Sequence, residues 1–191
     1  MQATNIDALC WRLPAQARLF DVGDTSGPWR LCKGLVRLDR IGRDGPLLVM
    51  LVEPGDWLGM DALCGQPHPW RATCVTPVWL EPAPQAPSAQ QRAQWLTEAL
   101  LQQPARAHAM AALRTGSVAQ RVRSLLALLA QPDVLGRAAP DVLRERLPPL
   151  RVLAELVDAK PETVCRTLGQ LVPKRGSARG EGEPMPWAWA A

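Results

Sequence analysis

The sequence has no C-x-x-C pair, few histidines, no long hydrophobic run and no internal repeat. Its five cysteines, Cys10, Cys32, Cys64, Cys74 and Cys165, are odd in number and scattered. That pattern points to reduced thiols in a cytoplasm, not to a disulfide framework. Only His68 and His108 stand beside them, so a zinc or iron–sulfur site finds few ligands at useful spacing, and no metal or cofactor is expected. The same scarcity leaves few acid–base candidates. With no nucleophile–base pair or acidic dyad in a recognisable context, an enzyme is not expected. The stretch "MQATNIDALCWRLPAQARLF" is not a basic-then-apolar leader. The most apolar helix, "VRSLLALLAQ", falls far short of the roughly 20 residues that span a bilayer. A soluble, cytoplasmic protein without a membrane partner is expected.

What is present bounds the answer further. At 191 residues, 47% of them hydrophobic, the chain suits one large domain or two small ones, each with a core. The net charge of +4 permits an acidic partner such as nucleic acid without demanding one. From Ala17 to about Leu80 the chain reads as short strands. "GLVRLDRIG" alternates weakly with period two, and "GPLLVMLVEPG" is an apolar run closed by Pro54-Gly55. Turn residues recur at Gly23-Asp24, Gly27-Pro28, Gly42 to Pro46 and Gly55-Asp56. Such spacing predicts a barrel or jelly-roll-like antiparallel sheet. Asp56 and Asp61 read as turn residues.

A proline-rich connector, "EPAPQAPSAQ", follows, with Ser88 placed to cap a helix from Ala89 to about Arg114. Pro104 is expected to kink or split that helix. Trp95, Leu96, Leu100 and Met110 give it an apolar surface. Ser117 is placed to cap a second helix through Ala130, and "QPDVLGRAAPD" reads as loop.

The stretch "LPPLRVLAELVDAKPETVCRTLGQL" then breaks and restarts at Val157 to Pro161. Leu150, Leu153, Ala154 and Val157 share one helical face, and Val164, Leu168 and Leu171 share another. Pro161 sits where proline is tolerated, in the first turn of the second helix. Glu162, Thr163, Arg166, Thr167 and Gln170 remain for its other faces. Arginine donates two hydrogen bonds to guanine, glutamine pairs with adenine, and threonine reaches phosphate or a thymine methyl. A helix-turn-helix that reads DNA explains the break and the polar face together; an ordinary helical hairpin with a solvated surface also fits the pattern.

Three stretches, in order from about Ala17 to Leu171, resemble the Crp/Fnr family of bacterial transcription regulators. "ELVDAKPETVCRTLGQL" is similar to its recognition module, with an E-T-V-x-R core at Glu162, Thr163, Val164 and Arg166. "CKGLVRLDRIGRDGPLLVMLVEPGDWLGMDAL" is similar to its effector-binding β-roll, and "SVAQRVRSLLALLAQ" to the helix that leads into its DNA-binding domain. The resemblance implies an α+β fold: an N-terminal β-roll over residues 1–87, a connecting and dimerisation helix over 88–116, and a winged helix-turn-helix over 117–180. A disordered tail, 181–191, is expected beyond them; Trp187 and Trp189 read as a sticky end of it. The resemblance also implies a homodimer on palindromic promoter DNA, its recognition helices about 34 Å apart, with RNA polymerase as a further partner. Glu162 and Arg166 become the base-reading pair and Thr163 a backbone contact. Lys174 and Arg175 add salt-sensitive phosphate attraction. Two departures stand out: Pro161 occupies a position where the family commonly has arginine, and the wing after Leu171 is reduced.

In cyclic-nucleotide-binding members of the family, the loop after the P-G-D hairpin cradles a phosphate through glycine and arginine, and a glutamate takes the ribose hydroxyl. By that resemblance the effector-site candidates are Gly59, Met60, Asp61, Arg71 and Ala72. Met60 stands at the glutamate position, which disfavours cyclic AMP. "TPVWLEPAP" resembles the cyanobacterial nitrogen-control regulators, whose effector is 2-oxoglutarate, and Arg71 is a cation for such a dicarboxylate. A pocket that binds nothing is the other reading of Arg71. His68 reads as a loop histidine, not a haem ligand, and Cys165 as a half-buried filler. The alternative function is a cyclic-nucleotide-binding-like sensor, working through protein contacts, whose DNA-binding domain is degenerate.

Overall fold

A computed structural model describes residues 10–43, 45–135 and 140–172. The chain divides into two compact units, one ending at Arg106 and one beginning at Ala107.

The first unit holds two four-stranded antiparallel sheets. One has the order β1 (Trp11–Leu13), β8 (Val78–Pro82), β3 (Trp29–Lys33), β6 (Trp57–Leu58). The other has the order β2 (Arg18–Phe20), β7 (Arg71–Cys74), β4 (Val36–Gly42), β5 (Gly45–Val52). This is the expected roll, begun earlier than Ala17 by β1. Alternation sends Trp29 and Leu31 of β3, Val78 and Leu80 of β8, and Val36 and Leu38 of β4 into one shared core. Each such side chain contributes on the order of 1.5–3 kcal/mol by leaving water. The opposite face of β4 is not solvated: Arg37 and Asp39 are both buried there and paired at 2.7 Å.

Close approach is settled at Gly34, between β3 and β4. Its φ is +91°, and a Cβ there would lie 2.3 Å from the Pro77 carbonyl oxygen, so only glycine fits. Beside it the Leu35 N–H donates to Thr76 Oγ1 at 2.9 Å, which ties the β3–β4 link to the β7–β8 link.

Helix α1 (Ala89–Arg114) opens with the expected cap. The Gln91 N–H donates to Ser88 Oγ and the Ser88 N–H to Gln91 Oε1, a reciprocal box. The helix runs unbroken through Pro104, against the expectation of a split. Pro104 is exposed, and Gln102 and Arg106 on either side of it are both anchored to the β5–β6 turn. Trp95 likewise packs against Trp57, with ring centroids 5.1 Å apart and planes tilted by 38°, so it belongs to the first unit's own packing.

The second unit is helical. Ser117 caps α2 (Val118–Leu129) through a full capping box with Gln120. The stretch expected to be loop instead holds α3 (Pro132–Leu135) and, after residues outside the description, α4 (Pro140–Arg146). Each opens on Pro-Asp, a proline that suits a first helical turn followed by a residue type that suits the helix N-terminus. Then come α5 (Leu150–Leu156) and α6 (Pro161–Leu171). The expected wing, with Lys174 and Arg175, and the tail with Trp187 and Trp189, lie outside the described residues.

Candidate nucleic-acid interface and effector cavity

The α5–α6 pair is joined by a four-residue turn. Asp158 takes φ +48°, a left-handed conformation that aspartate tolerates better than most residues. The Ala159 N–H returns to the Ala154 carbonyl at 3.0 Å, and Pro161 starts α6 at its first position. Leu153, Ala154 and Val157 are buried on one side of the turn, Val164, Leu168 and Leu171 on the other. That leaves Glu162, Thr163, Arg166 and Gln170 exposed together along α6.

Two placements on α6 correct the sequence reading. Thr167 is 7% exposed, and its hydroxyl donates to the Thr163 carbonyl at 2.9 Å, so it lies on the inner flank. Cys165 is exposed, not half-buried.

Arginines hold the turn from behind. Arg114 donates to the Leu156 carbonyl at 2.9 Å, and Arg121 donates to those of Val157 at 2.6 Å and Asp158 at 3.0 Å. The last carbonyls of a helix have no partner within it and carry the negative end of its dipole, so cations there satisfy both needs. Arg144 donates in the same way to the Val172 carbonyl at the end of α6.

In the first unit a cavity of about 230 Å³ opens beside the β6–β7 link. Gly59, at φ +69°, starts a 3-10 turn over Met60–Cys64; a Cβ on it would lie 3.1–3.2 Å from Trp29, the His68 ring and the Ser26 carbonyl. His68 is buried, with Nε2 2.7 Å from the Ser26 carbonyl oxygen, Nδ1 3.4 Å from Asp61 and its ring on Phe20. It braces the loop.

The cavity takes in Gly59, Met60 and Asp61 of the expected effector residues. Arg71 is not among its lining residues. It donates through Nε at 3.0 Å and Nη2 at 3.1 Å to the two carboxylate oxygens of Asp21, whose carboxyl it holds below the usual range. Ala72 is core, with no exposed surface.

No family model matches the chain. It is 31% identical over 153 residues, 78% of this chain and 73% of the relative, to the transcriptional regulator SdrP of Thermus thermophilus. A solved Crp/Fnr-family transcriptional regulator of the same organism superposes with TM-score 0.57 at 28% identity, covering 85% of this chain and 84% of that one. The chain belongs to the Crp/Fnr family of transcriptional regulators. A second solved regulator of the family from that organism, at 25% identity, gives a TM-score of 0.63 over 84% of this chain and 83% of its own. These relatives are transcription regulators, not enzymes. Among the described residues, no helix is long and apolar enough to cross a membrane.

In this regulator the ion pair of Arg106 and Asp56 was missed by sequence reasoning. Both residues are buried, and Arg106 Nε donates to Asp56 Oδ2 at 3.1 Å. Arg106 also donates to Gln102 Oε1 at 3.0 Å and approaches the Trp57 carbonyl at 3.4 Å. Asp56 does serve the turn as expected, since the Glu53 N–H donates to it at 3.0 Å. Glu98, on the same face of α1, accepts from Trp57 Nε1 at 2.9 Å, and this bond holds its carboxyl below the usual range.

Proposed function

We propose that this regulator reads double-stranded promoter DNA as a homodimer, with α6 in the major groove and a small-molecule effector in the roll. The observation that supports DNA reading is the division of α6: its apolar side chains are buried, while Glu162, Thr163, Arg166 and Gln170 stay exposed along one length of helix. Arg166 suits guanine through two parallel hydrogen bonds, Gln170 suits adenine, and Glu162 accepts from the cytosine amino group. Thr163 and, beyond the described residues, Lys174 and Arg175 serve the phosphates. The dimer forms along α1, where Leu100 and Leu101 are 69% and 74% exposed and Leu96 stands beside them. Trp95, committed to Trp57, is removed from that seam. Promoter binding in the cytoplasm brings RNA polymerase in as a further partner.

The test is a gel shift across several salt concentrations, with operator fragments selected from genomic DNA. Arg166→Ala is expected to relax preference at one base position by about 1–3 kcal/mol, whereas Lys174→Ala weakens all sequences alike. Unchanged preference in Arg166→Ala would overturn base readout by α6.

A second reading, a sensor that acts through protein contacts, draws on Pro161 at a position where arginine is common in the family and on the inward Thr167. Absence of sequence preference at every salt concentration would favour it.

A further inference from the structure

The cavity in the roll has mostly apolar walls, with Asp61, Gln103 and Arg106 as their charged and polar members. Phe20, Trp70, Leu58, Met50 and Met60 supply aromatic and soft apolar surface, and Ala99 of α1 closes one side. Its volume of about 230 Å³ exceeds the roughly 150 Å³ that accepts benzene in an apolar protein interior. It therefore holds one or two fused rings.

The charges decide what else the ligand carries. The cation that lines the cavity, Arg106, is neutralised by Asp56 in a buried pair; its Nη2 is directed to both Gln102 and the Trp57 carbonyl, and its Nη1 to the Met50 sulfur at 3.8 Å. Arg71 is held by both oxygens of Asp21 and is not part of the wall. An incoming phosphate or dicarboxylate would have to take an arginine from a carboxylate already bound to it. It would also meet Asp61, a further negative charge on the wall. Like charges at such range disfavour one another. Asp61, with 43% of its side chain exposed, and Gln103 offer acceptor oxygens.

We infer that the cavity takes a small, uncharged aromatic molecule that carries an N–H or O–H donor, such as an indole or a phenol, and excludes cyclic nucleotides and dicarboxylates. This rests on the reading of the roll as an effector domain. Rings pack on the apolar walls and on the methionine sulfurs, and the donor turns to Asp61.

Titration calorimetry on the full chain tests it with four probes: indole, benzofuran (the same shape without the N–H), cyclic AMP and 2-oxoglutarate. Indole is expected to bind about tenfold more tightly than benzofuran, with no heat from either anion. Asp61→Ala should bring the two bicyclic probes to equal affinity, and Ala99→Leu, which fills the cavity, should abolish both. Circular dichroism confirms that each variant is folded; if Ala99→Leu unfolds, the Asp61→Ala comparison alone decides. Binding of cyclic AMP or 2-oxoglutarate in preference to indole overturns the ligand class and leaves the effector reading standing. Failure of all four to bind overturns both, and the gel shift without ligand then shows whether DNA reading survives. Equal binding of indole and benzofuran to the wild type overturns the donor requirement.

Discussion

Replacing Arg106 with methionine removes one partner of a buried ion pair and keeps most of the apolar volume. Asp56 would be left as a carboxylate that is 8% exposed, with the Glu53 N–H at 3.0 Å as its remaining backbone donor. Breaking such a pair costs about 3–5 kcal/mol, because the surviving charge stays desolvated. The retained backbone hydrogen bond places this case at the lower end, about 3 kcal/mol. With a urea dependence on the order of 1–3 kcal/mol per molar, the midpoint should fall by about 1–3 M. Tryptophan fluorescence reports this unit, since Trp11, Trp29, Trp57, Trp70, Trp79 and Trp95 all precede residue 106. Arg106→Lys, which keeps the charge but loses the planar fork, should fall between. The double variant Arg106→Met with Asp56→Asn should recover part of the loss, because no buried charge remains unpaired. A midpoint within about 0.3 M of the wild type for Arg106→Met would refute the reasoning, as would simple additivity in the double variant.

The Arg71 guanidinium, followed by the Val22 N–H, holds the Asp21 carboxyl below its usual range. A depressed folded pKa gives stability that is complete above the ordinary value near about 4 and is lost as pH falls through the folded one. Asp21→Asn should therefore unfold more easily than the wild type at neutral pH, with the difference shrinking as pH falls below the ordinary carboxylate range; acid-unfolding curves that stay equally separated at every pH would contradict this. Burial pushes the Cys74 thiol up to about 11, while Cys64 and Cys165 are exposed. Iodoacetamide at about pH 8 should label Cys64 and Cys165 and spare Cys74, read by peptide mass spectrometry, because the thiolate is the reactive form. Comparable labelling of Cys74 would count against its burial.

Features with local causes could be read in advance. Ser88 and Ser117 announce their helices because a capping box needs only residues three apart. Pro161 as a helix start, and Val164, Leu168 and Leu171 as its buried side, follow from 3.6-residue periodicity. Thr167 was misplaced because, three residues from Val164, it falls at the edge of that stripe, where a short hydroxyl can turn back to the helix. The short helices α3 and α4 were taken for loop because two Pro-Asp starts lie close together and neither has room for a periodic face. The pair of Arg106 and Asp56 joins positions 50 residues apart, which no window on the sequence reaches. Without it Arg71 was the natural choice for an effector cation, since its engagement by Asp21 is equally remote in sequence.

These distant arginine contacts change what the charge of +4 means. Composition counts every arginine alike as attraction for phosphate. In the folded chain, however, Arg37, Arg71 and Arg106 are each bound to a carboxylate. Arg114, Arg121 and Arg144 aim at the carbonyl ends of helices. The first three are neutralised by their partners and contribute little field at a distance. The second three keep their charge, but their hydrogen bonds are directed inward: those of Arg114 and Arg121 hold the turn between α5 and α6, and that of Arg144 holds the end of α6. On the proposed reading, attraction to a duplex falls to exposed cations; Lys160 and Arg166 are two of these, and α6 carries them at its start and along its outward side. On that reading the number of positive charges is a poor guide to nucleic-acid binding, and their placement a better one: Arg114 and Arg121 brace the turn that leads into α6, at whose start and outward side the exposed Lys160 and Arg166 stand.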